Sequence, residues 1–242
     1  MVSVLVTGAN RGIGLGLIRH LIYEPSVSTV IATARDVDAA KDLNALGNPK
    51  LHVIQLEVVN EDSIAAAVKK VFEIVGENGL DILVNNAGIG YIAPLNGDIS
   101  KAKIIENLEV NTIAPLLIAN KFYPLLKQAA AKKGSAQIAI ISSGLGSLEN
   151  VTKGIYREMP YTVYGMSGTA VNMLTRRIAV EWKDDKIRAT SFCPGWVKTD
   201  MGSQAATYTV DESTIPLSKL ILSLTEENNG QFYQHTGEKI PW

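Results

Sequence analysis

Val2-Ser3-Val4-Leu5-Val6-Thr7-Gly8-Ala9-Asn10-Arg11-Gly12-Ile13-Gly14 opens the chain and decides its fold. An apolar run of strand type meets a glycine-rich turn, and a helical pattern follows over 12–23. The spacing is G-x-x-x-G-x-G. Gly8 lets the chain turn, Gly12 lets backbone approach a diphosphate, and Gly14 lets the helix lie close on the strand. Asn10, Arg11 and Ile13 ride on the same turn. A plain strand-to-helix turn carries such glycines too. Its place directly after an N-terminal strand favours dinucleotide binding.

Working outward, apolar runs at 28–33, 51–56, 81–85, 136–142, 187–192 and 230–234 read as strands, after 2–7. Helical patterns at 37–46, 61–76, 100–131, 161–184 and 211–225 fall between them. Alternation of this kind predicts an α/β fold, a doubly wound and mostly parallel seven-stranded sheet covered by helices on both faces. Asn60 or Asp62 is placed to cap the helix at 61–76, and Thr209 with Glu212 forms a capping-box pattern. No interior linker is evident, so residues 1–242 are expected to form a single Rossmann-type domain.

Composition narrows the function classes. The 242 residues are 46% hydrophobic and carry 23 basic and 24 acidic side chains, a net charge of −1. That balance points away from nucleic acid and from membrane surfaces. The single cysteine, Cys193, excludes an intrachain disulfide and a cysteine metal cluster, and no metal site is expected. A reducing, cytoplasmic setting follows as an expectation.

Further motifs lie in order along the chain: Asn85-Asn86-Ala87-Gly88, Asn111, Ser142-Ser143, Tyr164 in Tyr164-Gly165-Met166-Ser167-Gly168, and Pro194-Gly195 with Val197 and Thr199. With Thr7-Gly8-x-x-x-Gly12-x-Gly14 they resemble the short-chain dehydrogenase/reductases over the whole chain. Cys193-Pro194-Gly195-Trp196-Val197-Lys198-Thr199-Asp200-Met201-Gly202 and the closing Pro241-Trp242 are similar to the sniffer-type, or C-factor-like, carbonyl reductases. The resemblance implies a nicotinamide cofactor and hydride transfer between it and a small carbonyl or alcohol. It implies Tyr164 as proton donor, Ser143 as the group holding the carbonyl oxygen, and Asn111 as anchor of a relay water at a helix kink. Tyr161 has the same spacing to Gly165 as Tyr164 has to Gly168, so spacing alone does not separate the two tyrosines. Asn85, Asn86, Ala87 and Gly88 are implied to line the cofactor ribose, and Pro194, Gly195, Val197 and Thr199 the nicotinamide carboxamide.

Cofactor choice turns on the end of the second strand. Arg35 stands there where an acidic residue would select NAD, and Arg11 offers a second guanidinium, so NADP(H) is expected, with both arginines at a 2′-phosphate. Glu57, followed by Val58, replaces the aspartate the resemblance implies near the adenine. Gly168 replaces an implied lysine. An ammonium ~4 Å from a phenol favours the phenolate by ~4 kcal/mol at an effective dielectric of about 20. Its absence harms alcohol oxidation more than carbonyl reduction. The alternative is therefore a catalytically silent NADP-binding sensor. Segments 89–97, 144–160 and 196–210 are expected to wall the pocket, with Ile89, Ile92, Leu145, Trp196 and Tyr208 making it apolar. Leu108, Ile113, Leu116, Leu117, Ile118, Phe122, Leu125 and Leu126 put apolar groups on several faces of helix 100–131. That pattern predicts a homodimer through this helix and 161–184.

Overall fold

The computed structural model describes residues 1–242. In chain order the elements are β1 (Val2–Val6), α1 (Gly12–Leu21), β2 (Val27–Ala34), α2 (Lys41–Asn44), β3 (Leu51–Gln55), α3 (Glu61–Val75) and β4 (Ile82–Asn85). Then come α4 (Lys101–Leu108), α5 (Ala114–Lys133), β5 (Ala136–Ile141), α6 (Thr162–Glu181), β6 (Ile187–Cys193), α7 (Val210–Leu222) and β7 (Phe232–Gln234). The strands form one seven-stranded sheet in the order β3-β2-β1-β4-β5-β6-β7. Every neighbouring pair in it is parallel, so "mostly parallel" becomes wholly parallel.

The apolar strands bury both faces. Successive β1 residues point to opposite sides. Leu5 joins a core with α3, α5 and α6, while Val4 and Val6 join a second core with α1 and α7. These two layers explain why the strands read as continuous rather than alternating apolar runs. The capping box at α7 forms: the Glu212 N–H donates to Thr209 Oγ1 at 3.2 Å, and the Thr209 N–H donates to Glu212 Oε2 at 2.7 Å. At α3 the cap is Asn60, which accepts from the Ser63 N–H.

Two helical expectations change. The stretch 37–46 holds only the single turn α2, because Asp36 Oδ1 accepts from the Ala39 N–H at 3.0 Å and offers the backbone a turn instead. The stretch 100–131 is not one helix. A π-helical turn over Glu109–Ile113 separates α4 from α5. Pro115 follows, and its missing N–H removes the α-helical bond to the Asn111 carbonyl. The last strand is also shorter than 230–234.

The end of the sheet opposite the glycine turn is tied by Asp81. Its Oδ2 accepts from the Ser3 N–H at 2.7 Å, the Ser3 hydroxyl at 2.8 Å and Lys133 Nζ at 2.8 Å. This tie fixes β1 against β4 and the end of α5. Asp81→Ala leaves the Ser3 N–H without a partner in a buried place and should lower unfolding free energy by about 2 kcal/mol in a urea titration.

Candidate active site

Strand order reverses between β1 and β4, so the loops after these two strands diverge and leave a crevice at their carboxyl ends. Thr7 and Asn86 hold its two lips. The Asn86 and Ala87 N–H groups donate to Thr7 Oγ1 at 2.9 and 3.1 Å. Asn86 Nδ2 donates back to the Thr7 and Gly8 carbonyls at 2.8 and 3.1 Å. Gly8 has φ +62°, and a Cβ there would sit 3.0 Å from Ala87 Cα. A Cβ on Gly14 would overlap the Gly8 carbonyl oxygen and come within 2.6 Å of Asn86 Nδ2. Only bare backbone permits both approaches.

Asn111 lies in the π-helical turn, where the extra residue swings its amide toward the loop after β4. Its Oδ1 accepts from the Ile89 N–H at 2.8 Å, and its Nδ2 donates to the Ile89 carbonyl at 2.8 Å. The same Nδ2 reaches Ser167 Oγ on α6 at 3.1 Å. Asn111 thus joins the β4 loop, the helix kink and α6.

Ser143 follows β5, and Tyr164 lies in the first turn of α6. The Ser143 hydroxyl also accepts from the Leu145 N–H at 3.2 Å. Burial raises the Tyr164 pKa to about 12, the nearby Cys193 thiol adds to the rise, and the Ser143 hydroxyl acts against it. Burial likewise pushes the Cys193 thiol up. Tyr161 meets Tyr164 edge-on, ring centroids 6.1 Å apart. Gly168 packs on the loop after β5. A Cβ there would lie 3.1 Å from Gly146 Cα, and Thr169 and Asn172 donate to the Gly146 carbonyl at 3.0 and 3.2 Å.

Two adjoining cavities meet at Ser143 and Tyr164. One, of about 80 Å³, is lined by Ile13, Asn85, Asn86, Ala87, Gly88, Asn111, Ser142, Gly168 and Pro194 among others. The second, of about 160 Å³, adds Gly195, Val197, Thr199, Leu145 and Trp196. Ile89, Ile92 and Tyr208 do not line either cavity. Ile92 is exposed, and Tyr208 turns instead to His235, ring centroids 4.6 Å apart. Tyr156, Met159, Ile155 and Met201 line the wall and were not singled out from the sequence. Tyr156 packs the hydroxyl end of its ring against Gly144, where any Cβ would overlap its phenol. A glycine between Ser143 and Leu145 was the one local sign of it.

The remaining expected cofactor contacts lie on the rim. Gly12 faces Thr199, whose Cγ2 would be 3.3 Å from a Cβ on that glycine. Arg11 pairs with Asp200 at 3.1 Å and Arg35 with Glu57 at 3.5 Å, so each guanidinium has its own carboxylate in this structure. Both arginines are largely exposed, and such pairs are weak, so a phosphate can displace the carboxylates. Asn10 is exposed on the turn, and Val58 is buried in the core behind Glu57. The bare-backbone cradle, the crevice and the rim guanidiniums fit a dinucleotide diphosphate and a 2′-phosphate.

Residues 3–208 match the family model described as short chain dehydrogenase, and the chain belongs to that family. Among solved structures, the carbonyl reductase Sniffer of D. melanogaster is 33% identical with a TM-score of 0.94, each chain covered in full. An NADPH-bound carbonyl reductase from chicken fatty liver is 38% identical with a TM-score of 0.92, over 99% of this chain and 98% of that one. The norsolorinic acid ketoreductase of Aspergillus parasiticus is 31% identical over 98% of this chain and 90% of its own. The chain is an oxidoreductase of the short-chain dehydrogenase type.

The Asn111 clamp is open to test. Asn111→Ala removes the only side-chain partner of the Ile89 N–H and loosens both neighbours of the kink. Stability should fall by about 2 kcal/mol in denaturant, with faster amide exchange across residues 86–90.

Proposed function

We propose that residues 1–242 form an NADPH-dependent carbonyl reductase acting on a carbonyl carried by a small apolar body. The observation that carries this reading is the meeting of the Ser143 hydroxyl and the Tyr164 phenol where the two cavities adjoin. The nicotinamide, when bound, supplies the hydride. The chain supplies the rest. Ser143 donates a hydrogen bond to the substrate oxygen, where negative charge grows. Tyr164, protonated at neutral pH, delivers the proton to that oxygen. Asn111 positions the β4 loop against α6. Leu145, Ile155, Met159 and Trp196 exclude water around the apolar part of the substrate. The carbonyl reductases and the ketoreductase among the relatives support the direction of reaction.

Gly168 supports a second reading, a protein that binds NADPH without turning it over. NADPH absorbance followed against quinones, aldehydes and ketones separates the two: turnover supports the reductase, and tight NADPH binding with no turnover supports the silent protein. Tyr164→Phe should abolish turnover and leave NADPH affinity nearly unchanged. Turnover that survives this change reassigns the acid, with Tyr161 next to be replaced.

The phenol keeps its proton until pH approaches about 12. Reduction should therefore stay flat from about pH 6 to about pH 10 as far as this group is concerned. Alcohol oxidation needs the phenolate and should climb about tenfold per pH unit over the same range. Gly168→Lys should raise oxidation more than reduction and move the oxidation profile to lower pH. Gly168→Ala is the control for the crowding against Gly146.

NADPH should bind at least tenfold tighter than NADH, a difference of about 1.4 kcal/mol by calorimetry. Arg35→Asp should reverse that order. Finally, Ile113, Leu116, Met166, Met173 and Val180 are exposed on the π-helical turn, α5 and α6. Pairing of these faces buries them, and light scattering at micromolar protein should give the mass of a homodimer.

A further inference from the structure

Between Ser143 and Tyr164 the chain makes a surface excursion that carries Ile155, Tyr156 and Met159, part of the wall of the cavity of about 160 Å³. No residue from 148 to 158 is buried, so the excursion has no core of its own. Apart from bonds within four positions, the hydrogen bonds of residues 147–158 run to one segment of the chain. Ser147 Oγ donates to the Pro241 carbonyl at 2.6 Å, and the Glu149 N–H donates to the Trp242 main-chain oxygen at 3.1 Å. Ser147 Oγ also accepts from the Asn150 N–H at 3.1 Å, so one hydroxyl joins that segment to the next turn of the loop. Burial raises the Tyr156 pKa, and a hydrogen bond from the Gln234 side chain acts against it.

The segment that receives these ties is itself well anchored. After β7 the chain doubles back: the Gln234 N–H donates to the Glu238 carbonyl and the Ile240 N–H to the Phe232 carbonyl, both at 2.8 Å. Phe232, Ile240 and Cys193 form a small buried cluster with Trp242 packed on it. The Trp242 ring stacks on Phe232, centroids 5.5 Å apart, and the Arg176 guanidinium of α6 stands 5.7 Å over it. The sheet and α6 therefore place Trp242 independently of the loop it holds. No residue of 147–159 or 232–242 lines the cavity of about 80 Å³, so this arrangement acts on the larger cavity alone.

We propose that Trp242 is a specificity-determining positioning residue of the larger cavity, holding Ile155, Tyr156 and Met159 against the apolar part of the substrate through Ser147 and Glu149. A cavity of about 160 Å³ is close to the about 150 Å³ that takes one benzene ring. A ring-bearing ketone therefore reaches this wall, whereas a two-carbon aldehyde meets Ser143 and Tyr164 without touching it. The discrimination between substrates rests on the proposed reductase; the ordering of the loop by Trp242 does not.

Binding is measured on the full chain with NADP+, which has no hydride to give, so acetophenone stays intact. Trp242→Ala should weaken acetophenone binding at least fivefold by calorimetry and speed amide exchange across 147–158, with NADPH affinity unchanged. Trp242→Phe keeps a ring to stack on Phe232 and should restore both. Ser147→Ala cuts the tie from the loop side, leaves the cluster intact and should reproduce the weakening; it carries the test if Trp242→Ala does not fold. In turnover, the alanine variants should raise KM for acetophenone at least fivefold at unchanged kcat, while kcat/KM for acetaldehyde stays within twofold. Absence of acetophenone binding in the wild type, wild-type affinity and exchange in the alanine variants, or equal losses for acetophenone and acetaldehyde overturns the proposal. Weakened binding in the variants with no turnover in any chain keeps the tie and overturns the reductase; turnover with one KM in all chains does the reverse.

Discussion

Everything at the crevice depends on how closely two backbones can pass where β1 and β4 part company. Gly8 against Ala87, and Gly14 against the Gly8 carbonyl, leave no room for a side chain at either glycine. The Thr7–Asn86 hydrogen bonds then hold that contact from both sides. The strands behind them are buried on both faces, so the lips cannot drift apart without opening a core. A rigid cradle at the switch point allows the longer loops after β5 and β6 to vary in what they present to a substrate.

The proposed acid–base centre is built on a different principle. Ser143 sits at a strand end and Tyr164 on the first turn of a helix, and burial acts on the phenol in one direction only. Where no cation stands nearby, burial favours the neutral phenol. In the proposed role of Tyr164 this secures a proton donor and sacrifices a proton acceptor. An arrangement of this kind is suited to one direction of an otherwise reversible reaction.

The glycine turn, the strand alternation and the ordered motifs are local patterns, which is why they could be read from residues alone. The capping box at Thr209 and Glu212 was legible for the same reason. The break in helix 100–131 carried a sign as well: Pro115 stands four residues after Asn111, where a regular helix needs an N–H. The shortening of α2 had one in Asp36. By contrast, Tyr156 and Met201 reach the cavity through loops whose paths depend on distant contacts, such as Tyr208 with His235. Arg11 and Arg35 were legible as rim cations, but their carboxylate partners Asp200 and Glu57 were not. An ion pair across 189 positions leaves no mark in the sequence. Gly168 was visible as a departure from the family, while its packing against Gly146 follows only from the fold.

The π-helical turn also sets the angular phase of everything after it. Each α-helical residue advances the chain by about 100°, and the wider turn winds less per residue, so its surplus residue is absorbed and the downstream face keeps its phase. Phe122, Leu126 and Ala130 point into the core in that phase. Regular winding through 109–113 with every residue kept would rotate that row by about 100° toward solvent. The stretch therefore has a fixed winding as firmly as it has a fixed asparagine. Substitutions that keep the wide turn are local events, whereas a change that tightens it is felt along the whole of α5.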